Sequence, residues 1–187
     1  SDNGTNPDSN NDGLAFGPGE SDSTTFTVGA TRVGVAKNAS VSGKQITLDF
    51  YIENLGSTIF TNVTLADDLD AVFGTGNYRL MSGPSIVGPP RDLITNTGFD
   101  GSTDIQLISS GGLGLGVTEQ VRIVLEVDNL IDNGNGLGIY SNQVSVNADA
   151  SSDLSDAGTD PDPDGNGDPA GVDENDATTI AVSYTHL

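Results

Sequence analysis

Between residues 31 and 147, apolar side chains recur at every second position in short runs. Ile46, Leu48, Phe50 and Ile52 share one parity, and Val121, Ile123, Leu125 and Val127 repeat the pattern further on. An extended chain points successive side chains to opposite faces, so each run predicts a strand with one buried face. On this basis strands are expected over 31–37, 45–53, 61–66, 104–108, 119–127 and 140–147, with a short further strand over 24–28 and its counterpart over 178–182. Gly, Asn, Ser and Pro separate the runs, and no stretch carries a helical apolar stripe over three turns. About seven short strands with turn signals between them define an all-β chain, an Ig-like antiparallel β-sandwich rather than a closed barrel. Residues 74–103, rich in Gly, Pro and Asn, read as a long decorated loop or a poorly regular strand pair. Asp49 and Glu53 lie on the outward parity and read as surface residues.

The two ends of the chain repeat one another. Residues 155–182 align with residues 1–28 without a gap, and 13 of the 28 pairs are identical, among them Pro7 with Pro161, Asp8 with Asp162 and Glu20 with Glu174. Self-similarity at a fixed period marks a tandem array, so the chain reads as one repeat preceded by the end of another. Residues 1–23 are then an acidic linker closing the preceding repeat, 24–150 the sandwich, and 151–182 an acidic spacer with a short strand. Residues 183–187 depart from the repeat and read as a non-native tail, so His186, the single histidine, carries no functional weight.

Charge narrows the function. Six Lys plus Arg stand against 27 Asp plus Glu, a net charge of −21, which argues against nucleic acid or an anionic membrane as partner and makes divalent cations the natural counter-ions. Cysteine is absent, so stability rests on packing, bound ions or another crosslink. No apolar run approaches the roughly 18 residues of a membrane span, and if the protein is secreted its export signal is expected upstream of residue 1. With one histidine and no nucleophile elbow, phosphate loop or dinucleotide fingerprint, no enzyme is expected. Aromatic residues are 5% of the chain and Trp is absent, which leaves little to stack on a sugar ring.

The acidic segments have the spacing of calcium loops. Asp160, Asp162 and Asp164 alternate, Gly165 takes the sixth position, and Asn166 and Asp168 follow. Alternate side chains of a tight turn converge on one point, and a hard cation wants six to eight oxygens there. The acidic residue expected at position twelve is replaced by Gly171, and Glu174 and Asp176 are later candidates. In the first copy Asp8, Asn10, Asp12, Glu20 and Asp22 take the corresponding places, with Leu14 where Asp168 stands. The competing reading is a solvated, self-repelling linker.

Parity also turns three polar residues inward. Lys37 follows Val33 and Val35, Asp67 follows Val63 and Leu65, and Asn142 precedes Val144 and Val146, each at even spacing. Two arrangements meet this pattern. One is an intramolecular isopeptide bond between Lys37 and Asn142 with Asp67 as the proton carrier. The other is a Lys37–Asp67 ion pair with Asn142 capping a turn.

Gly34-Val35-Ala36-Lys37, ITLDFYIENLG over 46–56, FTNVTLADDL over 60–69 and YSNQVSV over 140–146 together resemble the DUF11-type conserved repeat domain of large bacterial cell-surface proteins. The segment around 160–179 is similar to the acidic spacers that follow such repeats in surface adhesins. The resemblance implies an extracellular Ig-like module of stalks, adhesins or fibres, with neighbouring repeats or copies of itself as partners. In such an assembly the strand at 24–28 or 178–182 is expected to add to a neighbour's sheet edge. The alternative is an adhesive module that binds a surface glycan or protein through residues 74–103.

Overall fold

The computed structural model describes residues 6, 8, 10–14, 30–89 and 92–183. The expected strand at 24–28, the candidate ligands Glu20 and Asp22, and His186 lie outside the described residues.

The chain is an all-β sandwich. One layer holds β1 (Val33–Ser42), β2 (Gln45–Asn54), β4 (Tyr78–Val87), β7 (Thr118–Val127) and the two-residue β11 (Asp156–Ala157), in the order β11-β1-β2-β7-β4. The second layer is built from β3 (Val63–Ala66), β9 (Ser145–Ala148) and β10 (Ser151–Leu154), in the order β10-β9-β3, and from the pair β8 (Ile139–Asn142) with β12 (Thr178–Ala181). A short pair, β5 (Ile94–Thr95) with β6 (Ile108–Ser110), completes the set. Among the described residues, all strand pairings are antiparallel except β1 with β11.

The apolar residues expected to face inward on β2 and β7 all do so. Ile46, Leu48, Phe50, Ile52, Val121, Ile123, Leu125 and Val127 are all fully buried and face Val63, Leu65, Tyr140 and Val146 of the core. Burying one such side chain is worth about 1.5–3 kcal/mol. Phe73 stacks at a tilt on Tyr140, with ring centroids 4.8 Å apart, and closes one end of the core.

Several elements differ from the sequence pattern. Residues 74–103 are no free loop, because β4 runs ten residues along β7. Register shifts between Leu80 and Ser82 and between Ser82 and Ser85 break its alternation, as bulged edge strands do. The expected strand 140–147 is split at Gln143 and Val144. Ser155 bridges the break, its hydroxyl accepting from the Val144 N–H at 3.1 Å and its own N–H donating to the Val144 carbonyl at 2.9 Å. The strand expected at 104–108 is ordered as β6 only from Ile108. A five-residue helix, α1 (Leu69–Phe73), is capped by the Asp68 carboxylate, which accepts from the Ala71 N–H at 3.0 Å. Asp49 is 6% exposed rather than open to solvent, because Arg122 on β7 clasps it through two hydrogen bonds of 2.7 and 2.9 Å.

Strand pairing does not stop at residue 150. Beyond it β10 joins β9, β11 joins β1 and β12 joins β8. Where β1 lacks a full partner strand, side chains of β10 take over. The Val33 N–H donates to the Ser151 hydroxyl at 3.0 Å, and the buried Val35 N–H to the Asp153 carboxylate at 2.9 Å. Buried backbone donors require such partners, so Asp153 substitutes for a strand.

Candidate functional site

After β11 the chain enters the acidic loop, which lies against the body of the domain. Pro161 and Pro169 are buried. They sit over Gly34 of β1, where a Cβ would come within 2.8 Å of the Pro161 Cβ and 3.1 Å of the Pro169 Cβ. The missing side chain leaves the slot that the two prolines fill. The Arg32 guanidinium donates to the Gly167 carbonyl, and Gln143 Nε2 donates to the Asn175 carbonyl at 2.6 Å.

Within the loop, backbone donors fix the carboxylates. Asp162 Oδ2 accepts from the Gly167 N–H at 2.8 Å, Asp164 Oδ1 from the Asn166 N–H at 2.9 Å, and Glu174 Oε2 from the Gly171 N–H at 2.9 Å. Asp162, Asp164 and Glu174 each bring a carboxylate oxygen to within 4.8 Å of the others. Glu174 is only 2% exposed, and its Oε1, like Asp162 Oδ1, is buried with no hydrogen-bond donor among the described residues. Burial foremost pushes the Glu174 carboxyl up. The charges of Asp164 and Asp162 push the same way, against the Gly171 N–H. Converging anions with oxygens lacking a donor fit a hard divalent cation, which supplies the missing charge.

Gly171, at the place where a position-twelve ligand is expected, explains the departure from the usual spacing. A Cβ there would lie 2.2 Å from Glu174 Oε2, so the Glu174 carboxylate occupies the space where that ligand's side chain would begin. The other sequence candidates stand outside the converging trio. Asp160 Oδ1 accepts from the Asp162 N–H at 3.1 Å and Asn166 Oδ1 from the Asp168 N–H at 2.6 Å, while the Asp168 carboxylate accepts a long 3.5 Å contact from the Ala170 N–H. The Asp176 backbone hydrogen-bonds the Asp156 carboxyl, which burial raises.

The first acidic segment folds the same way where it is described. The Gly13 N–H donates to Asp8 Oδ2 at 3.0 Å, the Asp12 N–H to Asn10 Oδ1 at 2.9 Å, and the Leu14 N–H to Asp12 Oδ1 at 2.8 Å. These match the Gly167–Asp162, Asn166–Asp164 and Asp168–Asn166 bonds of the second copy pair for pair. Left-handed backbone recurs at the same places too, at Asn11 (φ 59°) and Gly165 (φ 70°) and at Gly13 (φ 81°) and Gly167 (φ 78°).

Lys37, Asp67 and Asn142 do come together. Lys37 and Asp67 are fully buried and Asn142 is 1% exposed. Lys37 Nζ donates to Asp67 Oδ2 at 2.8 Å, and Asn142 Nδ2 donates to the same oxygen at 3.2 Å. The Phe50 ring lies under the amine, 5.3 Å from Nζ to the centroid. Asp67 Oδ1 and Asn142 Oδ1 are buried with no donor among the described residues. Burial pulls the Lys37 pKa down, and the charge of Asp67 only partly opposes it.

Asp153 and Asp156 escaped the sequence reading. Burial pushes the Asp153 carboxyl up to about 7, against the Val35 N–H, with Asp156 and Glu174 adding repulsion. Their only sequence signal was acidity in a segment that resembled a connector.

No protein-family model matches the chain, and no curated protein is significantly similar to it. Among the described residues, no helix is long and apolar enough to cross a membrane.

Proposed function

We propose that this protein is a structural, calcium-rigidified repeat unit of an extracellular bacterial adhesin, stalk or filament, assembled end to end with neighbouring repeats or copies of itself. One observation carries the reading. Asp162, Asp164 and Glu174 converge in a loop seated on β1, with two buried carboxylate oxygens that no group among the described residues satisfies. Calcium bound there ties the chain's exit to the strand near its entry, so a joint that repels itself when empty becomes stiff when loaded. The recurrence of the same turn 154 residues earlier supports a joint at each end of the repeat. The resemblance to DUF11-type repeats points the same way, and on this reading the protein is not an enzyme. The glycan- or protein-binding alternative loses its free loop, because β4 takes ten of residues 74–103 into the sheet.

Thermal unfolding of the chain in millimolar calcium and in excess chelator tests the reading. A ligand at a hundred times its dissociation constant stabilises by about 2.7 kcal/mol. For a domain of this size that raises the melting temperature by about 5–11 °C. Identical melting curves, with magnesium as control, would sink it.

A further inference from the structure

An amine, a carboxyl and a carboxamide meet in a dry pocket between β1, the end of β3 and the end of β8. We propose that Lys37 and Asn142 condense there into an amide cross-link, with Asp67 as the acid–base group, so that the folded domain is covalently bonded from β1 to β8. The bond depends on the fold alone and stands whether or not the acidic loop takes calcium.

An ion pair explains the arrangement poorly. An ammonium has three N–H groups, and the hydrogen-bond acceptor found for Lys37 is the single oxygen Asp67 Oδ2. Two buried charges without full hydrogen bonding cost several kcal/mol. Meanwhile Asp67 Oδ1 and Asn142 Oδ1 are left with no donor among the described residues. Moving one proton from Lys37 to Asp67 removes both charges. It gives Asp67 an O–H to donate and leaves Lys37 with a nucleophilic lone pair, as its lowered pKa favours.

The chemistry then balances without any outside reactant. Lys37 Nζ attacks Cγ of Asn142, forming the Nζ–Cγ bond, and the charge that builds on Asn142 Oδ1 is stabilised by the protonated Asp67. Asp67 hands its proton to Nδ2, which already faces Asp67 Oδ2 at 3.2 Å. The Cγ–Nδ2 bond breaks and ammonia leaves. Asp67 takes the surplus proton from Nζ and ends as the neutral acid, a donor for the new amide carbonyl. Lys37 and Asp67 have no solvent exposure, so water is kept from competing with the amine.

The position of the bond has a mechanical consequence that rests on the filament reading. Residues 38–141 are bracketed by Lys37 and Asn142, so tension along the chain bypasses them. At about 3.5 Å per residue, the bracket withholds roughly 350 Å of extension. The segment after the bracket, 143–182, carries the acidic loop, so calcium guards what the covalent bond leaves open on that side.

Intact-mass measurement of the full chain, followed by peptide mapping, tests the proposal. The expected result is a mass about 17 Da below that of the sequence, the loss of one ammonia. Mapping should then give a branched peptide joining the segments that contain Lys37 and Asn142, with no tryptic cleavage after Lys37. Lys37→Met and Asp67→Asn should each restore the full mass. A native chain of full mass overturns the proposal, and so does a deficit that maps to an Asn–Gly succinimide such as Asn135–Gly136. The native measurement decides alone if a variant fails to fold.

Discussion

Gly34→Ala should loosen the acidic loop while leaving the sandwich intact. Gly34 pairs with Glu53, one position in from the end of the β1–β2 ladder, and its φ lies outside the left-handed region, so alanine fits the backbone and the substitution tests space alone. The added Cβ would sit 2.8 Å from Pro161 Cβ, 3.0 Å from Leu55 Cδ1 and 3.1 Å from Pro169 Cβ. Carbon atoms rest about 3.5–4.0 Å apart, so each neighbour must retreat by roughly half an ångström or more. Leu55 can rotate away, but the proline rings move only with their backbone. Overpacking of this kind costs about 1–3 kcal/mol, and the reduced freedom of the unfolded alanine chain returns about 0.4–1.

The net loss of about 1–2 kcal/mol falls on the docking of the loop. In chelator the melting temperature should drop by about 2–8 °C. In a calcium titration followed by calorimetry, the midpoint should move about five- to thirty-fold higher, since each 1.4 kcal/mol is tenfold. A protease that cuts at Asp should open residues 160–168 of the variant before it touches the sandwich. A melting temperature within a degree of the parent, with unchanged cleavage, would refute the seating of Pro161 and Pro169 on β1.

Two further substitutions probe other parts of the structure. Burial raises Asp153 to about 7, so the folded chain holds a proton that the unfolded chain releases near pH 4. That contribution to stability is full below about pH 4 and is lost as the pH rises through about 7. Asp153→Asn keeps an acceptor for the Val35 N–H and, in chelator, should flatten the profile and gain about 1–3 kcal/mol at pH 8 relative to pH 4, after allowance for solvent screening. Urea unfolding at the two pH values measures this, and parallel profiles would count against the burial of a charged Asp153. Arg122→Ala leaves the nearly buried Asp49 with only Gln120 Nε2 at 2.8 Å, and should cost about 1–2 kcal/mol in the same assay. A change below about 0.5 kcal/mol would mean that solvent replaces the guanidinium without loss.

What the sequence made legible follows from how far each residue's position is set by its neighbours. Lys37, Asp67 and Asn142 were found because each stands at even spacing from apolar residues that fix its face, and even the break at Gln143 leaves Asn142, Val144 and Val146 all buried. In β4 that logic fails. Gly83 and Pro84 interrupt it, two register shifts reset its parity, and an edge strand with polar residues on both faces has no buried set to betray it. The helix α1 is too short for a period, and its one local mark is the cap at Asp68.

The acidic loop shows the deeper limit. Alternate spacing singled out Asp162 and Asp164, and the repeat singled out Glu174, because these are local patterns. The docking that separates a seated loop from a solvated linker is encoded more than a hundred residues earlier in the chain, by a side chain that Gly34 lacks. The fit of Glu174 is likewise encoded by the side chain that Gly171 lacks. A period can be read from residues that are present, whereas a slot is defined by atoms that are absent, and only the folded chain brings the slot and its occupant together.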